Sequence, residues 1–161
     1  MNELLRALHA TPLGALADGN AWIVTACLIV HFTGLCLLVG TMLIVDLRVI
    51  GLFRQFSLAN VMKLLPVAIT GFGLNAISGF VLFAARPVNY FENPAFQIKL
   101  WLLAISGLNA LAFTAFEHRL MLAAPGGASA PIVAKASAVL SLLLWFTIIF
   151  YGRLIAFQVA A

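Results

Sequence analysis

Four long apolar runs, almost free of charge, leave this chain few ways to fold. A helix rises about 1.5 Å per residue, so about 20 apolar residues cross the hydrocarbon layer of a bilayer. Residues 21–45, 61–85, 96–116 and 133–157 each reach that length. Backbone polar groups in lipid must be satisfied internally, which leaves helices or a closed barrel. No alternation of apolar and polar residues points to strands. Composition agrees: 64% of the 161 residues are hydrophobic and 9% charged, against about 25% charged in a soluble domain. The expected fold is all-α, an integral membrane antiparallel four-helix bundle forming one domain over residues 1–161.

The runs stop where charge or turn chemistry begins. The first ends at Asp46-Leu47-Arg48, the second at Arg86-Pro87 and the third at Glu117-His118-Arg119. Residues 86–94 contain two prolines, and residues 125–131 form a cluster of breakers. Residues 2–10 mix apolar and charged side chains and do not read as a signal peptide. Leu4, Leu5 and Leu8 share one helical face, so a short N-terminal helix is expected, lying in the membrane interface or packed on the mouth of the bundle. Cys27 and Cys36 lie on opposite faces of one run, about 13 Å apart along its axis, and cannot form a disulfide with each other.

The formal net charge of +4 comes from basic residues scattered between apolar runs. They form no stripe for nucleic acid and read as membrane-flanking groups, with the lipid bilayer as the partner. Arg48, Arg54, Lys63, Arg119 and Lys135 lie towards the first and third loops; Arg6, Arg86, Lys99 and Arg153 lie towards the other side. That bias places both termini outside.

Ionisable and amide side chains inside a span are expensive and often mark function. His31 lies about 15 Å along the first span, Asn75 about 13 Å from the end of the second, and Asn109 about 18 Å along the third. These three are expected to converge near the midplane, either as a functional layer or as hydrogen-bonded glue between helices. Lys99, Arg153 and Tyr151 form a second layer near the outer boundary. The two cations either snorkel to head groups or clamp an acidic group of a bound molecule. Gly34, Gly40, Gly71, Gly73, Ser78 and Gly79 permit close helix approach or leave room for a flat cofactor.

The order of these features resembles a family of small bacterial membrane proteins of unassigned function. The likeness rests on His31-Phe32-Thr33-Gly34-Leu35, Asp46-Leu47-Arg48, Pro66, Gly79, the run Asn93-Pro94-Ala95-Phe96-Gln97-Ile98-Lys99 and the closing Gly152-Arg153-Leu154, and spans nearly the whole chain. More distantly, the layout is similar to the copper-resistance protein D membrane domain and to the membrane-embedded protoporphyrinogen oxidases, neighbours of the di-haem cytochrome b bundles. The resemblance implies a multi-pass protein of the bacterial inner membrane, with periplasmic termini and haem or copper as cofactor. One departure matters: Phe113-Thr114 stands where members of the closest family often carry Phe-His.

Geometry narrows these implications. His118 lies about 16 Å from the level of His31, far beyond the roughly 2 Å of a metal–imidazole bond, and His9 lies outside the spans. A di-haem centre with four histidines is excluded. A single haem b on His31 stays open, with Asn75 and Asn109 around it and Lys99 and Arg153 on its propionates. For Cu(I), Cys27 and His31 share a face, but Met42 lies about 16 Å further along the same helix. No Ser-His-Asp set, phosphate loop or paired carboxylates suggest a hydrolase or nucleotide enzyme. The leading expectation is a haem b protein in electron transfer or porphyrin-linked oxidation, with a redox partner, a larger membrane complex or a homo-oligomer around it. A non-catalytic accessory subunit and a copper-handling permease are the alternatives.

Overall fold

The computed structural model describes residues 2–123 and 128–160, so residues 125–127 of the breaker cluster lie outside it. Among the described residues all regular structure is helical: α1 (Asn2–His9), α2 (Pro12–Asp18), α3 (Ala21–Ile50), α4 (Leu58–Met62), α5 (Leu65–Ala85), α6 (Pro87–Phe91), α7 (Pro94–Phe116), α8 (His118–Ala123) and α9 (Ile132–Ala160). Helices α3, α5, α7 and α9 carry four stretches long and apolar enough to cross a membrane.

Local chemistry sets their ends. The Asn20 side chain accepts from the Trp22 amide at 3.0 Å and starts α3. Gly51, with φ 125°, stops it in the left-handed region. The helix therefore outruns the expected boundary at Val45: Asp46 and Arg48 are 4% and 1% exposed and sit inside it rather than marking an exit. Pro66 has the opposite effect on the second span. Lacking an amide proton, and clashing with the carbonyl four residues back, proline separates α4 from α5. The Asn93 carboxamide accepts from Ala95 and Phe96 at 2.9 and 3.4 Å, with Pro94 opening α7.

Helix α3 packs against both α5 and α9, and α7 packs on α9. His31 meets Ser78 and Gly34 meets Gly71, so residue numbers rise along α3 while falling along α5. Asn109 meets Ser137 and Lys99 approaches Gly152, so α7 and α9 also run in opposite directions. Between α5 and α7 the link lies near one end, where Phe83 stacks on Phe96 at 5.5 Å with Tyr90 tilted against both. The tightest crossing joins α3 to α5. A methyl group on Gly34 would lie 2.7 Å from the Gly71 carbonyl oxygen, and one on Gly71 would lie 2.7 Å from the Gly34 carbonyl. Gly40 and Gly73 face open space.

Helices α1 and α2 pack at one end of the long helices, α2 against α5 and α1 against α6. The Thr11 hydroxyl accepts from Gly14, and Gly14 lies against Ala84: a methyl there would be 2.9 Å from the Ala84 carbonyl. Asp18 ties the pair down by accepting from Arg86 at 3.1 Å and approaching His9 at 3.4 Å.

Gly34→Ala is expected to destabilise the protein by about 1–3 kcal/mol, because the carbonyl it meets belongs to a backbone that cannot swing aside. Gly73→Ala, which meets nothing, should leave the thermal midpoint in detergent unchanged; equal effects from both would refute the close crossing. A pH prediction concerns Asp18, whose carboxyl Arg86 first and His9 second hold below the usual range. A depressed acid contributes above its unfolded pKa and loses that contribution as pH falls through the folded value. Docking of α2 should therefore hold from neutrality to about pH 4 and loosen below it. Intrinsic-rate-corrected hydrogen exchange at residues 12–18 reads this directly, and protection unchanged into stronger acid would exclude it.

Candidate functional site

The α3–α5 crossing places a histidine among backbone groups. The Asn75 side chain donates to the His31 carbonyl at 2.8 Å, fixing the turn that carries the ring. The ring is half-buried, with Nδ1 at 3.1 Å from the Ser78 hydroxyl. Gly79 makes room for it: a methyl group there would lie 3.2 Å from Cε1 and 3.5 Å from Nδ1.

Ser78 decides which ring nitrogen is free. Its one hydroxyl proton goes to the Leu74 carbonyl at 2.6 Å, with the Asn75 carbonyl further off at 3.2 Å. Towards His31 the hydroxyl must accept, so in the neutral ring Nδ1 carries the proton and Nε2 keeps its lone pair. Among the described residues Nε2 has no hydrogen-bond partner. An imidazole held this way can ligate a metal or accept a proton at Nε2.

Lys99 and Arg153 part company. Lys99 is half-buried and turned to α9, where its Nζ would lie 3.6 Å from a methyl on Gly152, and it stands within Coulombic reach of His31. Arg153 is exposed and stacks its guanidinium on Phe157 at 4.9 Å. Tyr151 is half-buried and packs edge-on against Phe150 at 5.6 Å. Phe83 lies one turn beyond Gly79, and Phe96 about one turn before Lys99, so their stacked rings lie beside the His31–Lys99 level.

Asn75 stands with His31, but Asn109 does not. It donates to the Ser137 carbonyl at 3.1 Å and accepts from the Ser137 hydroxyl at 3.0 Å, joining α7 to α9. Cys27 is half-buried and Cys36 exposed, both with free thiols. Among the described residues no three His, Cys, Asp or Glu side chains gather as they would around a metal. Thr114 is exposed and returns its hydroxyl to the Ala110 carbonyl at 2.8 Å.

Sequence reasoning missed the ionisable groups buried towards the far end. Asp46 is 4% exposed, Arg48 donates to the carbonyls of Phe56 at 2.6 Å and Ala128 at 3.3 Å, and Glu117 is 8% exposed. Among the described residues Asp46 Oδ2, Arg48 Nη1 and Glu117 Oε2 have no hydrogen-bond partner. A signal was present: apolar residues continue beyond Arg48 through Val49 and Ile50, which argues that the helix carries these charges inward.

Comparison with protein-family models, curated proteins and solved structures finds no match to this chain.

The separation of the two amides is testable. Asn109→Ala and Ser137→Ala should each lower stability by about 0.6 kcal/mol per interhelical hydrogen bond lost. In a double-mutant cycle they should couple, whereas Asn109→Ala with Asn75→Ala should add. Coupling between the two asparagines would mean that they share a site.

Proposed function

We propose that this chain is a multi-pass protein of the bacterial inner membrane, an antiparallel four-helix membrane bundle with periplasmic termini, and that His31 is the axial ligand of a single haem b. One geometry carries the haem reading: the Ser78 hydroxyl oxygen lies 2.6 Å from the Leu74 carbonyl and 3.1 Å from His31 Nδ1, an arrangement that favours a proton on Nδ1 and a lone pair on Nε2 for iron. Metal-ligating histidines are ordinarily oriented by a hydrogen bond from the other ring nitrogen, as Nδ1 is here. The likeness to haem- and copper-handling membrane families points the same way.

The surroundings fit one haem better than two. The α3 and α5 backbones touch at Gly34 and Gly71, next to His31, which leaves no room for a macrocycle between them there. Lys99, turned to α9, would offset a propionate, while Arg153, stacked on Phe157, stands outside that role. Bound haem would supply one-electron transfer. The chain's own part would be to hold the imidazole through Ser78, to fix its helix turn through Asn75, and to cover the level with Phe83 and Phe96. A redox partner, a larger membrane complex or a second copy would exchange the electrons. Copper is less favoured, since Cys27 and His31 would supply only two ligands.

A second reading has its own support. Asn75 and Asn109 both spend their amides on cross-helix bonds, as expected of an accessory subunit whose polar groups order its helices.

His31→Leu separates the two, because Asn75 holds the backbone carbonyl and not the ring. Protein from haem-replete expression is expected to show a Soret band that His31→Leu abolishes with helicity unchanged. Wild-type protein without that band would overturn the haem reading and leave the accessory one.

A further inference from the structure

Away from His31, at the end of the molecule holding α1, α2 and α6, an open cleft of about 380 Å³ is lined by Arg6, His9, Asp18, Arg86 and Asn89 over an apolar floor that includes Val88. Its size falls within the range of ordinary small-molecule sites, about 300–1,000 Å³. Two arginines stand against one aspartate, so one positive charge is left uncompensated before His9 is counted. The two arginines are also differently held. Asp18 fixes Arg86 at 3.1 Å, whereas Arg6 makes no ion pair among the described residues.

The position of this cleft narrows the ligand. It opens where the apolar stretch of α5 ends at Ala85, the level at which head groups would begin for a bilayer spanned by α5. The helices that wall it carry exposed apolar side chains, Leu4 at 75% and Leu16 at 59%, and Trp22 nearby is 84% exposed. Cations beside exposed leucines and a tryptophan are what a lipid head group and the upper acyl chain meet together. An arginine fork matches the paired oxygens of a phosphodiester. A zwitterionic lipid has no net charge for the excess cation of the cleft to attract.

We propose that this cleft binds the phosphodiester of an anionic phospholipid, with Arg6 and Arg86 on its oxygens and Asn89 near the head group. The lipid would also link α1, which carries Arg6, to the junction of α5 and α6 at Arg86. This site is independent of any chemistry at His31.

The test uses the full chain in a maltoside detergent, with the thermal midpoint followed as ligand is added. Dioctanoyl phosphatidylglycerol is expected to raise the midpoint, and dioctanoyl phosphatidylcholine to bind at least about tenfold more weakly. Arg6→Gln, which breaks no ion pair, should fold normally and lose roughly tenfold in affinity for the anionic lipid. Arg54→Gln, at the opposite end, should bind as the wild type does. Equal binding of the two lipids would overturn the proposal. So would wild-type affinity in Arg6→Gln. Inorganic phosphate binding as tightly as the anionic lipid would remove lipid as the occupant.

Discussion

The α3 and α5 backbones touch at Gly34 and Gly71, and the histidine site depends on that contact. Two carbonyls lie where side chains would otherwise hold the helices apart. In a lipid-like setting little hydrophobic force drives one helix onto another, so close van der Waals packing and a few hydrogen bonds must do it. Each of those bonds starts from a side chain that an apolar helix could have left out. Asn75 reaches the His31 carbonyl, and Ser78 reaches the ring itself. With a larger residue at Gly34, the helices would separate and both contacts would lengthen together.

The four apolar helices were legible because a run of some 20 residues without charge has few other fates. Their ends were legible only where a breaker is local, as at Arg86-Pro87; the Asn20 and Asn93 caps went unread. The α4–α5 break was harder to see, because Pro66 acts through a carbonyl four residues earlier. The end of α3 was missed for a different reason. Asp46 and Arg48 look like an exit, and only tertiary structure shows both buried, with two loop carbonyls receiving Arg48.

The polar layer shows the limit of counting along an axis. His31, Asn75 and Asn109 were placed at similar depths by rise per residue, but depth says nothing about which neighbour a helix faces. Asn109 faces α9, where Ser137 offers it both a donor and an acceptor. Asn75 faces α3 because Gly71, one turn away, lies against Gly34. Likewise, Lys99 and Arg153 share a boundary yet point apart, one towards Gly152 and the other onto Phe157. Partner identity, not depth, decides whether polar groups make one site or two.

The two ends of the molecule treat charge in opposite ways. Towards α4 and α8, Asp46, Arg48 and Glu117 are almost wholly buried, and each keeps one polar atom without a partner among the described residues. Such atoms are costly, and they hold loops and helices in one arrangement only as long as their remaining bonds survive. At the other end Arg6, His9, Asp18 and Arg86 stay open to the surroundings, and Asp18 fastens α1 and α2 through its contacts with His9 and Arg86, which a competing ion can enter. Locked charge at one end and exchangeable charge at the other make α1 and α2 the part of this fold most open to control by its environment. The histidine depends on neither set of charges for its placement: Ser78 meets its ring and Asn75 holds its carbonyl.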